Sequence, residues 1–253
     1  MSEIPQATIQ DRIKRSKSTE RIDYSQIDCL NLPDPLVELK PSENIMVEPY
    51  WTIEGDFEGD RYTAYIAEHP EYQGVYIRPE LFTRLEKAAE SLGPQYKLVA
   101  RAGHRPIDVQ RKLLIDCLQD YKDDNPGVSD DDALYHARTF VSDPDVSNPP
   151  HCCGSAIDVD MYDVEIDEYV DFGSPNGADD ERSFLHYDGI TTEQKEKRML
   201  LLTAMLGQGL ASVAFEWWHF SYGDETWAWF YGQKSSLYGL IEPDFDQKGL
   251  EPK

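Results

Sequence analysis

The sequence predicts an α+β fold: a small, mainly antiparallel sheet with helices packed on one face. Three observations carry this. Stretches of helical periodicity and stretches of strand character alternate irregularly, not as repeated βαβ units. Some of the connections between them are short. An apolar content of 40%, with 15 Tyr, 9 Phe and 5 Trp in 253 residues, suffices for a substantial core. No internal repeat or low-complexity tract interrupts the chain.

Taken in order, residues 1–45 are polar, lack clear periodicity, and read as an N-terminal extension or arm beside a single domain formed by residues 46–253. Arg12, Lys14, Arg15, Lys17 and Arg21 make the arm locally basic. Regular structure is expected to begin soon after Tyr62. Pro79-Glu80 has the form of a first helical turn. Leu81, Phe82, Leu85, Ala88, Ala89 and Leu92 follow at helical spacing until Gly93-Pro94 stops the run. Tyr96 to Arg101 reads as a strand, and Gly103-His104-Arg105-Pro106 as the turn into a helix with Val109, Leu113, Leu114, Cys117 and Leu118 on its apolar side. Asp120 to Asp132, with Asn125-Pro126-Gly127, reads as an acidic surface loop; it lacks the spacing and closing Glu of an EF-hand. A short helix near Asp131 to Val141 follows. Pro144, Pro149 and Pro150 mark a loop that delivers His151, and Ser155 to Met161 has strand character. Residues 163–190 form a long acidic excursion of the kind that often serves as a lid or binding loop. Thr191 with Gln194 resembles a capping box opening a helix that Gly207 and Gly209 close. Val213 to Phe220 is expected to be a last, central strand.

A formal net charge of −24 makes nucleic acid and anionic membranes poor partners, because both would be repelled. No run is long enough to span a membrane. Met1 to Pro5 lacks the basic and apolar regions of a secretory signal, so a cytoplasmic protein is expected, or a periplasmic one if a leader precedes this sequence. Cys29, Cys117, Cys152 and Cys153 form no disulfide framework and are expected to be reduced thiols.

Two distant stretches carry chemistry: His151-Cys152-Cys153-Gly154-Ser155-Ala156-Ile157-Asp158 and Glu216-Trp217-Trp218-His219. Together they offer two imidazoles and one carboxylate as metal ligands, His151, Asp158 and His219, with Glu216 as a spare carboxylate. This is the inventory of a catalytic zinc centre with an open position for water. Gly154 would be the pivot that lets His151 and Asp158 converge. Glu216, three residues before His219, would lie on the opposite face of a straight strand. Both reach one ion only if the chain twists, bulges or ends there. Glu216 would be the general base, passing a proton from the attacking water to the leaving amine. Arg105 would stabilise the developing oxyanion. His104 is expected beside it in the pocket, and one of Trp217 and Trp218 in the core. Each short pattern is weak by itself, and the weight lies in their co-occurrence.

The order Arg-Pro, His-x-x-Gly-x-Ala-x-Asp, Glu-x-Trp-His resembles the VanX-like zinc D-alanyl-D-alanine dipeptidases, within the D,D-peptidases that share a fold with the Hedgehog signalling domain. The similarity runs from about Tyr62 to about Phe220 and includes Asp180-Glu181-Arg182-Ser183. It implies one Zn2+ held by His151, Asp158 and His219, Glu216 as base, Arg105 at the transition state, and hydrolysis of the small D,D-dipeptide D-Ala-D-Ala to two D-alanines. The alternatives are a D,D-carboxypeptidase acting on longer peptidoglycan peptides and a zinc-containing binding protein without activity. Family members commonly have a small polar residue where Pro149 stands, and Tyr where His104 stands. They have a Phe-Asp pair where this chain reads Ser174-Pro175-Asn176-Gly177-Ala178-Asp179. The acid of that pair helps hold the substrate amine, a role for which Asp179 and Asp180 are the nearest carboxylates.

Overall fold

The computed structural model describes residues 7–20, 22–52, 57–70 and 72–242. Met1 to Pro5 and Arg21, considered above, lie outside the described residues, as do residues 243–253. The elements are α1 (Ile9–Arg15), β1 (Asp28–Cys29), β2 (Val37–Glu38), β3 (Ile45–Val47), α2 (Phe57–Glu68), β4 (Tyr76–Ile77), α3 (Pro79–Ser91), β5 (Tyr96–Ala102) and α4 (Ile107–Asp124). They continue with α5 (Asp130–Phe140), β6 (Ala156–Asp163), β7 (Glu168–Tyr169), α6 (Thr192–Gly207), β8 (Ala211–Ser212), β9 (His219–Ser221), α7 (Glu225–Phe230) and β10 (Ser235–Ser236). The main sheet runs β3-β5-β6-β9-β8, with β7 paired to β6. Its pairings are antiparallel except β3 with β5, as expected for an α+β fold.

Side-chain alternation divides the sheet into two faces. Leu98 and Ala100 of β5, Ile157, Val159 and Met161 of β6, and Phe220 of β9 enter one large core. Helices α3 and α6 cover that face through Leu81, Leu85, Ala88, Leu201, Leu202 and Met205. The alternate residues of β6 and β9, including Asp158 and His219, point the other way. Helices α4 and α5 build a separate small cluster from Leu113, Cys117, Ala137 and Val141.

Four expectations are corrected. Regular structure begins well before Tyr62: α1 opens on a capping box of Thr8 and Asp11, and Ile45 of β3 lies in the main core. Helix α4 continues through Asp124 and α5 begins at Asp130, so only residues 125–129 of the acidic stretch are loop. Lys112–Asp116 and Gln119–Asp123, each four residues apart, support the helical path. Residues 213–220 are not one strand. Two short strands flank an irregular segment whose backbone is held by Leu185 N–H on the Ala214 carbonyl (3.0 Å) and Trp217 N–H on the Ser183 carbonyl (3.0 Å). The excursion of residues 163–190 is not all loop: it contains β7 and the turn Glu181–Ser183. The buried Arg198 of α6 donates to the carbonyls of Phe172, Arg182 and Phe184 at 2.8, 2.7 and 2.5 Å.

Candidate metal centre and active site

His151 sits in a single 3-10 turn, His151–Cys153, that Gly154 terminates with φ 66° and ψ 16°. A side chain at Gly154 would strike Leu36, so both the left-handed backbone and the close packing require glycine. The buried guanidinium of Arg78 fixes this turn from behind, donating to the carbonyls of Cys153 (2.8 Å) and Asp34. Asp158 and His219 are directly opposed residues on the antiparallel strands β6 and β9. Direct opposition puts their side chains on one face, within reach of each other.

The three groups converge. His151 Nε2 lies 3.3 Å from Asp158 Oδ2, His219 Nδ1 lies 3.1 Å from Asp158 Oδ1, and the two imidazoles approach to 3.1 Å. All three residues are buried, and one donor atom from each falls within 4.8 Å of the others. Burial pushes the Asp158 carboxyl up, but the two imidazoles more than offset this and hold it below its ordinary value. Burial pulls His219 down, and Asp158 overrides that to leave it raised. For His151 burial prevails over Asp158, so its pKa is lowered. Two imidazole nitrogens and an ionised carboxylate are a donor set that zinc accepts.

Glu216 Oε2 is 3.7 Å from His219 Nδ1. The break in the strand before β9 supplies the irregular backbone that this proximity demands. The Glu216 side chain keeps 18% of its exposure against 7% for His219, which leaves its carboxylate open to the cavity. That cavity has a volume of about 520 Å³ and is lined by His151, Asp158, Glu216, Trp218, His219 and Arg105. Arg105 precedes α4, with its backbone N–H on the His151 carbonyl at 3.2 Å. Its Nη1 donates to Gln110 Oε1 at 2.9 Å, and Gln110 is braced in turn on the Ser142 carbonyl at 2.7 Å. Sequence reasoning missed Gln110. The signal was available, because 110, 113 and 117 follow helical spacing and a glutamine on an otherwise apolar stripe asks for a partner. It also missed Tyr50, a buried residue whose hydroxyl lies 3.5 Å from Asp158 Oδ2 and bonds Asn176; no local pattern announces it.

Other expectations fall differently. His104 does not line the cavity: its ring is buried between the Tyr72 hydroxyl (3.1 Å) and the Ile241 carbonyl (2.7 Å). Trp217 is core, stacked on Phe172, and Trp218 is also buried while one edge reaches the cavity. Asp180 caps the turn Glu181–Ser183 and pairs with Arg182, and neither Asp179 nor Asp180 lines the cavity. Cys152 and Cys153 are free buried thiols outside the donor cluster. Burial raises both, Cys152 to about 12.

A buried cluster of two histidines and an aspartate, with a carboxylate and an arginine facing the same cavity, places the protein among metal-dependent hydrolases. Residues 79–237 match the family described as D-ala-D-ala dipeptidase, and the chain belongs to that family, a family of zinc metallopeptidases. It is similar to a D-alanyl-D-alanine dipeptidase of Synechocystis sp., 25% identical over 87% of this chain and 96% of the relative. A D-alanyl-D-alanine dipeptidase of Enterococcus faecium is 28% identical over 66% of this chain and 83% of the relative. Among solved structures, a mutant of the vancomycin-resistance D,D-pentapeptidase VanY from a VanB-type cassette, in complex with Zn(II), is 20% identical. It covers 66% of this chain and 84% of that chain, with a TM-score of 0.36. Among the described residues no helix is long and apolar enough to cross a membrane.

Proposed function

We propose that this chain hydrolyses D-Ala-D-Ala to two D-alanines, with His151, Asp158 and His219 holding zinc, Glu216 as general base and Arg105 as oxyanion partner. The observation that carries the reading is the position of Glu216: beside the donor cluster, 3.7 Å from a ligand nitrogen, and still open to the cavity. When bound, zinc supplies Lewis acidity toward the peptide carbonyl and the attacking water. Glu216 takes the proton of that water and returns it to the leaving amine. Arg105 keeps its charge at any working pH and meets the negative charge that develops on the carbonyl oxygen. Gln110 holds that guanidinium in place, so little reorganisation is needed during reaction.

The test is a peptide panel with the zinc-loaded chain: D-Ala-D-Ala, its L-containing isomers, and longer peptides ending in D-Ala-D-Ala. Turnover of the D,D-dipeptide with rejection of the L isomers is expected. Absence of dipeptide turnover in fully metallated protein refutes the reading.

A further inference from the structure

The segment between α1 and β1 forms a wall of the catalytic cavity. Ser18, Thr19, Glu20, Ile22, Asp23 and Tyr24 all line it. This wall is tied down on both sides. On one side, Ile9 and Ile13 of α1 pack against the main core. Arg12 Nη1 donates to the Leu206 carbonyl at 2.5 Å. Arg15 Nη2 donates to the Trp229 carbonyl at 3.1 Å, with its guanidinium 4.3 Å from the Trp229 ring centroid. The buried Ser16 bonds His186 Nε2 at 2.9 Å. On the other side, β1 runs parallel to β10, and Asp28 N–H bonds the Lys234 carbonyl at 3.1 Å. Between the anchors, the Tyr24 hydroxyl lies 3.3 Å from Thr226 Oγ1, and Asp23 caps a single turn, Tyr24–Gln26. Anchored at both ends and tied again through Tyr24, the described residues of this stretch form a strap along the cavity.

We infer that this strap sets the length of the substrate, admitting short peptides free at the amino end and turning away the same D,D terminus carried on a longer chain. The inference rests on the peptidase reading above. A peptide hydrolysed at a carboxyl-terminal D,D pair can be extended only from its amino side. Added residues must therefore leave the cavity past its walls. A wall that clashes with the longer competitor discriminates against it without any improved contact to the shorter one. The strap is built from residues far in sequence from every catalytic candidate, so length selection and chemistry reside in separable parts of the chain.

The experiment compares kcat/KM for D-Ala-D-Ala with that for an N-acylated peptide ending in the same two residues, using zinc-loaded full-length chain. One variant trims the wall with Thr19→Gly, Glu20→Gly and Ile22→Gly and leaves both anchors in place. A second carries protease sites on either side of residues 18–25, cut after purification, so that the strap is removed from a chain already folded. Zinc content and the thermal transition are recorded for each. The ratio of long to short peptide turnover is expected to rise roughly tenfold or more in both. An unchanged ratio in zinc-replete, cooperatively melting protein overturns the strap, as does equal turnover of both peptides by the unmodified chain. Failure of the unmodified chain on both peptides overturns the peptidase reading itself, and the strap with it.

Discussion

His151 Nδ1 lies 2.7 Å from the Gly103 carbonyl oxygen, which can only accept. Nδ1 therefore donates to it, which leaves Nε2 as the nitrogen that faces Asp158 and His219 and would take the metal. Gly103 makes this approach available, because a side chain there would collide with the Tyr76 carbonyl oxygen. A backbone carbonyl that sets the tautomer of a metal-binding imidazole also fixes its ring orientation. Two substitutions separate the roles at this scale. Glu216→Ala is expected to keep full zinc occupancy by elemental analysis while kcat falls by roughly a hundredfold or more. Turnover near the parent rate would remove Glu216 from the base position. His219→Ala is expected to lose the metal, and full zinc content in that variant would strike His219 from the ligand set.

Arg78 does the work of a strut between elements. Its buried guanidinium joins the N-terminal end of α3 to the His151 turn, to the stretch before β2 and to the Gly239 carbonyl at 3.3 Å, with the Tyr238 ring 4.7 Å away. Arg78→Met leaves those carbonyls without their donor. A loss of about 3 kcal/mol or more in urea unfolding is expected, together with weaker zinc retention in a chelator competition. Parent-like stability would show that water replaces the lost donors. The elements themselves were legible where the signal is local. The proline at the first position of α3 and its apolar spacing gave its start and end to within a residue, and the capping box of Thr191 and Gln194 forms as read. The convergence of His151, Asp158 and His219 was legible for the same reason, since donor type and spacing are properties of short stretches. The interruption between β8 and β9 was not. It depends on residues 183–185 supplying hydrogen bonds from some thirty residues upstream, and a run of apolar and aromatic residues looks the same whether its partners are a strand or a loop. The course of the arm was hidden likewise, because Arg15 meets Trp229 only after the chain has folded.

Across the whole molecule, buried imidazoles make stability depend on pH below neutrality. Burial drives His104 down to about 3 and His186 to about 4, so both stay neutral in the fold while the unfolded chain takes up protons near 6.5. Between those values the unfolded state binds more protons, and stability falls as pH falls. Asp224 acts in the opposite sense. Burial raises its carboxyl to about 6 from 3.8, so between those values the fold retains a proton the unfolded chain has released, and stability falls as pH rises. Comparison with a variant isolates one group. Relative to His104→Gln, the parent should lose up to about 2 kcal/mol more between pH 7.5 and pH 5, from the full window of His104 above pH 5. Parallel stability curves for the two proteins would refute a neutral, buried His104.

The opposed pair of Asp158 and His219 has one more consequence. Strand β9 is only three residues long, and shifting it by a single position against β6 would turn His219 into the aromatic core and offer Phe220 to the cavity instead. Were zinc held by the proposed ligands, only molecules with this strand alignment would offer it both donors, and the metal would favour the correct pairing of the sheet.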